Sequence, residues 1–164
     1  MILLLNGCIN SGKSSTARAL ARLLPRAAHV ELDDLRHFMT HHSLDEVFDL
    51  TMDLAVATTR VLVEQGWDAI LTWPIGQEEY DYLTGQLASL NQPIHTFTLD
   101  TDLDVLLTNR GDRELTKHER RRIREQYQDG RHRPAFGRVI DNTHLTADKA
   151  AREILRFSSG NLEM

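Results

Sequence analysis

One cysteine is all the chain has. Cys8 cannot form an intrachain bridge, so a disulfide-built scaffold is excluded. No apolar run approaches the roughly 18 residues that a membrane span needs. The opening Met1-Ile2-Leu3-Leu4-Leu5 is too short for a secretory h-region and has no basic n-region, so a cytoplasmic location is expected. Basic excess is missing too. A net charge of −5 argues against general affinity for nucleic acid or anionic membranes. Repeats, linkers and low-complexity segments are absent. With 41% apolar and 26% charged residues, disordered and collagen-like readings are excluded. The 164 residues are expected to form one domain, 1–164, with its own hydrophobic core.

Charge is unevenly placed. Residues 110–133 hold nine Lys/Arg and five acids, and 31–53 hold seven acids against Arg36 alone. A basic stretch in an acidic chain points to a local anion site.

Hydrophobic periodicity alternates between strand and helix. Ile2-Leu3-Leu4-Leu5 reads as a fully buried strand, followed by a helix over 14–24 that stops at Pro25. A weak strand follows at 29–32, with a short helix from Asp33. The three- and four-residue spacing from Leu44 to Leu62 predicts a long amphipathic helix ended by Gly66. Strand 68–73, helix 78–90, strand 94–99 and a helical start at 103–109 come next. The rest reads as a basic helix over 116–128, a short strand at 139–140 and a helix over 146–157 with Thr146 as its cap. The tail 158–164 is expected to fray. This alternation implies a parallel sheet with helices on both faces.

Gly7-Cys8-Ile9-Asn10-Ser11-Gly12-Lys13-Ser14 matches G-x-x-x-x-G-K-[ST], directly after a strand and before a helix. The glycines let backbone N–H groups turn inward as an anion nest, and the helix presents its positive dipole end to a β-phosphate. Lys13 would bridge the β- and γ-phosphates, and the Ser14 hydroxyl would bind Mg²⁺. Gly7, Asn10, Ser11, Gly12, Lys13, Ser14 and Ser15 are the expected nucleotide-binding residues of this loop. Cys8 inside it reads as a small filler, with a redox switch as the alternative.

Two kinds of P-loop protein are excluded. No glycine has Asp three residues before it, so the D-x-x-G element of a GTPase is missing, and Asn109-Arg110-Gly111-Asp112 lacks the lysine of N-K-x-D. The third strand ends in Thr72-Trp73-Pro74, without the acid of an ATP-driven motor.

The loop at Gly7, the Asp33-Asp34-x-Arg36 motif after the second strand, and the Arg-rich stretch followed by Asp141-Asn142-Thr143 together resemble a P-loop kinase. The resemblance covers nearly the whole chain. It is closest to the group that includes shikimate and gluconate kinases, chloramphenicol phosphotransferase, tunicamycin-resistance proteins and polynucleotide 5′-hydroxyl kinases. It implies an α/β three-layer sandwich, with a five-stranded parallel sheet in the order 2-3-1-4-5 and a basic lid over about 110–133. Asp33 would be the general base and a water-mediated Mg²⁺ ligand, and Arg36 would hold the acceptor or the transferring phosphoryl group. Asp34 is assigned to capping the short helix. Arg110 and Arg113, on either side of the hinge candidate Gly111, would close over ATP, while most of 117–125 reads as a solvated face with i,i+4 pairs. Asn142 either contacts the adenine base or belongs to a plain turn, and Trp73 and Tyr80 either line the acceptor pocket or pack. His37, His41 and His42 lack the partners of a metal site and read as surface residues.

The activity expected is Mg²⁺-dependent transfer of the ATP γ-phosphoryl group to a hydroxyl of a small molecule. The alternatives are a polynucleotide 5′-kinase, disfavoured by the acidic 31–53 stretch, and a non-catalytic nucleotide-binding regulatory or interaction module. The sequence does not identify the acceptor.

Overall fold

Residues 1–40, 43–109 and 114–159 are described in the computed structural model. The expected lid residues Arg110 and Arg113 lie outside the described residues, as do His41 and His42.

Five parallel strands form one sheet, β1 (Ile2–Asn6), β2 (Ala27–Glu31), β3 (Asp68–Thr72), β4 (Ile94–Asp100) and β5 (Arg138–Asp141), in the order β2-β3-β1-β4-β5. The centre of the sheet falls to β1, whose Ile2–Leu5 run is apolar without interruption. Leu5 pairs with Thr72 on one side and with Phe97 on the other. Successive side chains of a strand point to opposite faces. Ile2 and Leu4 therefore join Ala69 and Leu71 beneath α3 (Leu44–Glu64) and α4 (Gln77–Leu87). Leu3 and Leu5 join Ile70 and Leu99 against α1 (Lys13–Leu23) and α7 (Ala147–Ser159). Three layers result, as the resemblance implies.

Two of the element boundaries that differ from the sequence pattern have a visible cause. β2 starts at Ala27 and ends at Glu31, because it pairs with the whole of β3 from Ala27↔Asp68 to Glu31↔Thr72. Pairing overrides the weak strand preference of its two alanines. The final helix runs on to Ser159 where fraying is expected from Ser158. The Ser158 hydroxyl is buried and donates to the Ile154 carbonyl at 3.0 Å. Thr146 caps this helix as expected, its hydroxyl accepting from Lys149 N at 3.3 Å.

The remaining helices flank the mouth of the sheet. α2 (Leu32–Leu35) runs into a 3₁₀ turn at Arg36–Phe38, and α5 (Leu103–Leu106) precedes α6 (Lys117–Gln128). α6 opens with a capping box, Thr116 Oγ1 accepting from Glu119 N and Glu119 accepting from Thr116 N. Its charged face carries the expected near-neighbour pairs, with Arg121 at 3.6 Å and Arg122 at 3.1 Å from Glu125. The described part of the expected lid is anchored by an apolar contact. Ile123 of α6 packs with Leu115, Leu106 and Cys8 in a third apolar cluster directly beside the Gly7–Ser14 loop. No helix among the described residues is long and apolar enough to cross a membrane.

Candidate functional site

The loop after β1 has a shape its own residue types impose. Gly7 sits at φ +142°, and a Cβ there would lie 2.7 Å from the Leu99 carbonyl and 2.6 Å from Ser11 Oγ. Only glycine lets the chain pass that close. Gly12, at φ +92°, is the N-cap of α1, and no side chain caps that helix. The helical ladder begins with Thr16 N donating to Gly12 O at 2.9 Å. A helix start without a side-chain cap directs its first-turn amides and dipole outward. Here they face a cleft of about 870 Å³ lined by Asn10, Gly12, Lys13, Ser14, Ser15 and Glu31, among others.

Lys13 is turned back on the loop, donating to the carbonyls of Gly7 and Cys8 at 2.9 Å each. The ammonium thus gathers the carbonyls on one side of the loop, while the amides at the helix start look the other way. The remaining loop positions are held from outside. Asn10 Nδ2 donates to the carbonyls of Leu106 and Thr108, at 2.8 and 3.0 Å. Gln126 Oε1 accepts from Ile9 N at 2.8 Å. Asn142 Nδ2 donates to Ser11 O at 2.7 Å.

Asn142 is 3% exposed and borders the cleft; its Nδ2 braces the loop at Ser11, while its buried Oδ1 has no partner among the described residues. Thr143 N donates to Asp141 Oδ1 at 3.0 Å, the bond of a plain Asx turn.

Across the cleft, the Ser14 hydroxyl donates to Glu31 Oε2 at 2.5 Å. Glu31 is the last residue of β2, at the carboxyl end of the sheet, where ligands bind in open α/β folds. The sequence reading passed it over in favour of Asp33. The signal available was the Glu31-x-Asp33 spacing at a strand end. His29, two residues earlier on the same face, shares a 2.8 Å hydrogen bond with Thr72 Oγ1 and stands 3.8 Å from Glu31. Burial pushes its pKa down against the opposing pull of Glu31.

Asp33 lines the same cleft, half-exposed and ion-paired with Arg36. The Arg36 guanidinium lies 5.3 Å from the Trp73 ring centroid, and burial lowers its pKa. Its Nε is buried without a partner among the described residues. Asp34 does not cap α2, which has no side-chain cap. Its carboxylate is exposed 3.8 Å from the equally exposed His37. Tyr80 stacks on Phe136 at 4.2 Å, and Trp73 belongs to the same apolar cluster, so both are packing residues.

The structure therefore brings Lys13, Ser14, Ser15, Asn10, Gly12 and Asp33 to one cleft, with Arg36 on Asp33 and with Gly7 and Ser11 supporting from behind. It adds Glu31 and Gln126. Among the described residues no cluster of three or more His, Cys, Asp or Glu is arranged to hold a metal by itself.

No protein-family model matches the chain, and no curated protein matches it in sequence. Solved structures do match in fold. Shikimate kinase from Acinetobacter baumannii, in complex with shikimate, is 18% identical with a TM-score of 0.66, over 99% of this chain and 95% of that one. The Deinococcus radiodurans tunicamycin resistance protein is 20% identical with a TM-score of 0.63, over 99% and 95%. The APS kinase of Mycobacterium tuberculosis, with AMPPNP and APS, is 19% identical with a TM-score of 0.65, over 96% of both chains. The chain has the fold of the P-loop small-molecule kinases.

Cys8 sits in the middle of this loop and is almost fully buried, which pushes its thiol up from 9.0 to about 11 despite the nearby Lys13. At pH 8 its thiolate fraction is then about a hundredth of that of an ordinary thiol. Iodoacetamide should modify the native protein at least about 100-fold more slowly than the urea-unfolded chain. Comparable rates would make Cys8 an accessible, activated thiol and revive a redox role.

Proposed function

We propose that the protein is an ATP-dependent kinase, transferring the γ-phosphoryl group of Mg-ATP to a hydroxyl of a small molecule. The observation that carries this reading is the meeting, in one cleft, of an uncapped helix start with its Lys13 and an acid that can take a hydroxyl proton. The fold supports it, since neighbours of the same architecture carry the names of shikimate, gluconate and APS kinases. In this reading the chain is one kinase domain, and a cytoplasmic setting supplies ATP and keeps the lone thiol reduced.

Each residue then has a task. The amides from Gly12 to Ser15 hold the β-phosphate, and Lys13 exchanges its two loop carbonyls for the β- and γ-phosphate oxygens. The Ser14 hydroxyl and the Glu31 carboxylate are two hard oxygen donors already in contact, a set that suits Mg²⁺, which takes one or two protein oxygens and completes its shell from phosphates and water. Bound there, Mg²⁺ supplies neutralisation of the triphosphate charge. Asp33 accepts the proton of the acceptor hydroxyl as its oxygen attacks phosphorus and ADP leaves. Arg36, freed from Asp33 by that proton, turns its charge to the transferring group. Arg110 and Arg113 are assigned to the same charge from above. The net −6 of residues 31–53 disfavours a polynucleotide acceptor.

The test is ADP release, followed with Mg-ATP against a panel of sugars, nucleosides, antibiotics and oligonucleotide 5′-ends. Lys13→Ala should abolish transfer, a loss of about 3 kcal/mol or more at the transition state. Asp33→Asn should slow transfer by about 10²–10⁴ while leaving ATP affinity near that of the wild type. A nucleotide-binding module without catalysis would bind ATP and tolerate Asp33→Asn in whatever it does.

Glu31→Gln checks the metal assignment. It should raise the Mg²⁺ concentration for half-maximal activity about tenfold or more, in line with losses of metal-supporting carboxylates. An unchanged Mg²⁺ requirement would return Glu31 to a purely structural role.

A further inference from the structure

A loop that binds phosphate must keep most of its amides for the ligand, so few backbone bonds are left to hold its shape; here the one within the loop among the described residues is Ser11 N to Cys8 O at 3.1 Å. The rest of its shape has to be imposed from outside. In this chain three amide side chains do so, and Asn10 and Asn142 belong to the loop itself and to the strand end facing it. The third comes from elsewhere. Gln126 lies on α6, a helix otherwise covered in charge, yet it is 4% exposed and inserted toward the loop. Among the described residues its Oε1 is the only acceptor for Ile9 N, at 2.8 Å across 117 residues of sequence. Ile9 is flanked by Cys8, whose carbonyl already accepts from Ser11 N at 3.1 Å and from Lys13, and by Asn10 in the left-handed region at φ 68°. Were the Ile9 amide released, the Cys8–Ile9 peptide would be held only through its carbonyl, by Ser11 N and by the Lys13 ammonium that nucleotide draws away.

We propose that Gln126 is a positioning residue for the phosphate loop. By holding the Ile9 amide it fixes the loop in the form that receives the β- and γ-phosphates, acting through the loop without touching the nucleotide. This rests on the kinase reading above and adds to it a reason for the burial of an uncharged amide on the basic helix. Two features make the contact more than packing. Ile123, one turn earlier on the same face, already supplies apolar anchorage to Cys8 and Leu106. The amide of Gln126 is directed at the backbone of a loop that has no helical or strand bond of its own at that point.

A positioning role predicts a selective loss. Calorimetric titration of the full chain with Mg-ATP and with AMP, which lacks the β- and γ-phosphates, reads it out. Gln126→Met keeps side-chain length and removes the acceptor. It should weaken Mg-ATP binding about tenfold and leave AMP binding unchanged, so the ratio of the two affinities falls. Ile123→Val, which thins the same helix contact, should lower the melting temperature and leave that ratio as in the wild type. An unchanged ratio in Gln126→Met, or an equal fall in Ile123→Val, overturns the proposal. Hydrogen exchange of the wild type is a second test that needs no variant to fold. The Ile9 amide should be protected with and without nucleotide, and rapid exchange in both states overturns the proposal as well. Failure of the wild type to bind Mg-ATP overturns the kinase reading instead, with Ile9 protection still reporting on the Gln126 contact.

Discussion

The structure depends on one constraint: a stretch of backbone whose amides must point at an anion cannot satisfy itself. Everything around residues 7–15 answers that constraint. The glycines allow the turn, Lys13 collects the carbonyls left facing away, and side chains from α6 and from the end of β5 hold the outside of the loop. These protein groups set the shape of the loop themselves, the kind of preorganisation that favours charge developing in the cleft.

The sheet makes this precision affordable in a chain of 164 residues. β1 is covered on both faces, and the loop starts at its carboxyl end. Asn6, fully buried at that end, ties three segments together. Its Oδ1 accepts from Ile75 N at 2.7 Å, and its Nδ2 donates to Thr98 Oγ1 and to Arg131 O at 3.1 Å. Arg131 in turn donates to the Pro74 carbonyl at 2.5 Å and pairs with Glu79 at 3.4 Å. The segment after α6 therefore reaches from the phosphate loop to the far wall of the cleft. α6, for all its charge, is thereby tied into the site at Gln126 and through the segment that follows it.

Legibility followed the range of each interaction. The strands, the helices and the loop from Gly7 to Ser14 could be read because their signals are local: an uninterrupted apolar run, a 3.6-residue repeat, glycines at set offsets. Asp33 and Arg36 could be singled out because they form one short motif after a strand, although the ion pair between them was not foreseen. Glu31 was missed because its partner Ser14 lies across the cleft on another element, and Gln126 because its partner is 117 residues away. Asn142 was noticed for its place after the last strand, yet its partner, Ser11, is fixed only by the fold. Asp34 was assigned a capping role from position alone, and the four-residue α2 is too short to need it. Arg110 and Arg113 lie outside the described residues, so their part in the account rests on composition and resemblance.

The central claim, that the loop is held from outside so that its helix-side amides serve phosphate, is tested most directly by following backbone amide resonances during titration with a non-hydrolysable Mg-ATP analogue. The account predicts large shifts confined to Gly12, Lys13, Ser14 and Ser15, with the Ile9 amide nearly still because Gln126 retains it. A saturating titration that leaves those four amides unmoved, or that shifts Ile9 as much as they do, would contradict it.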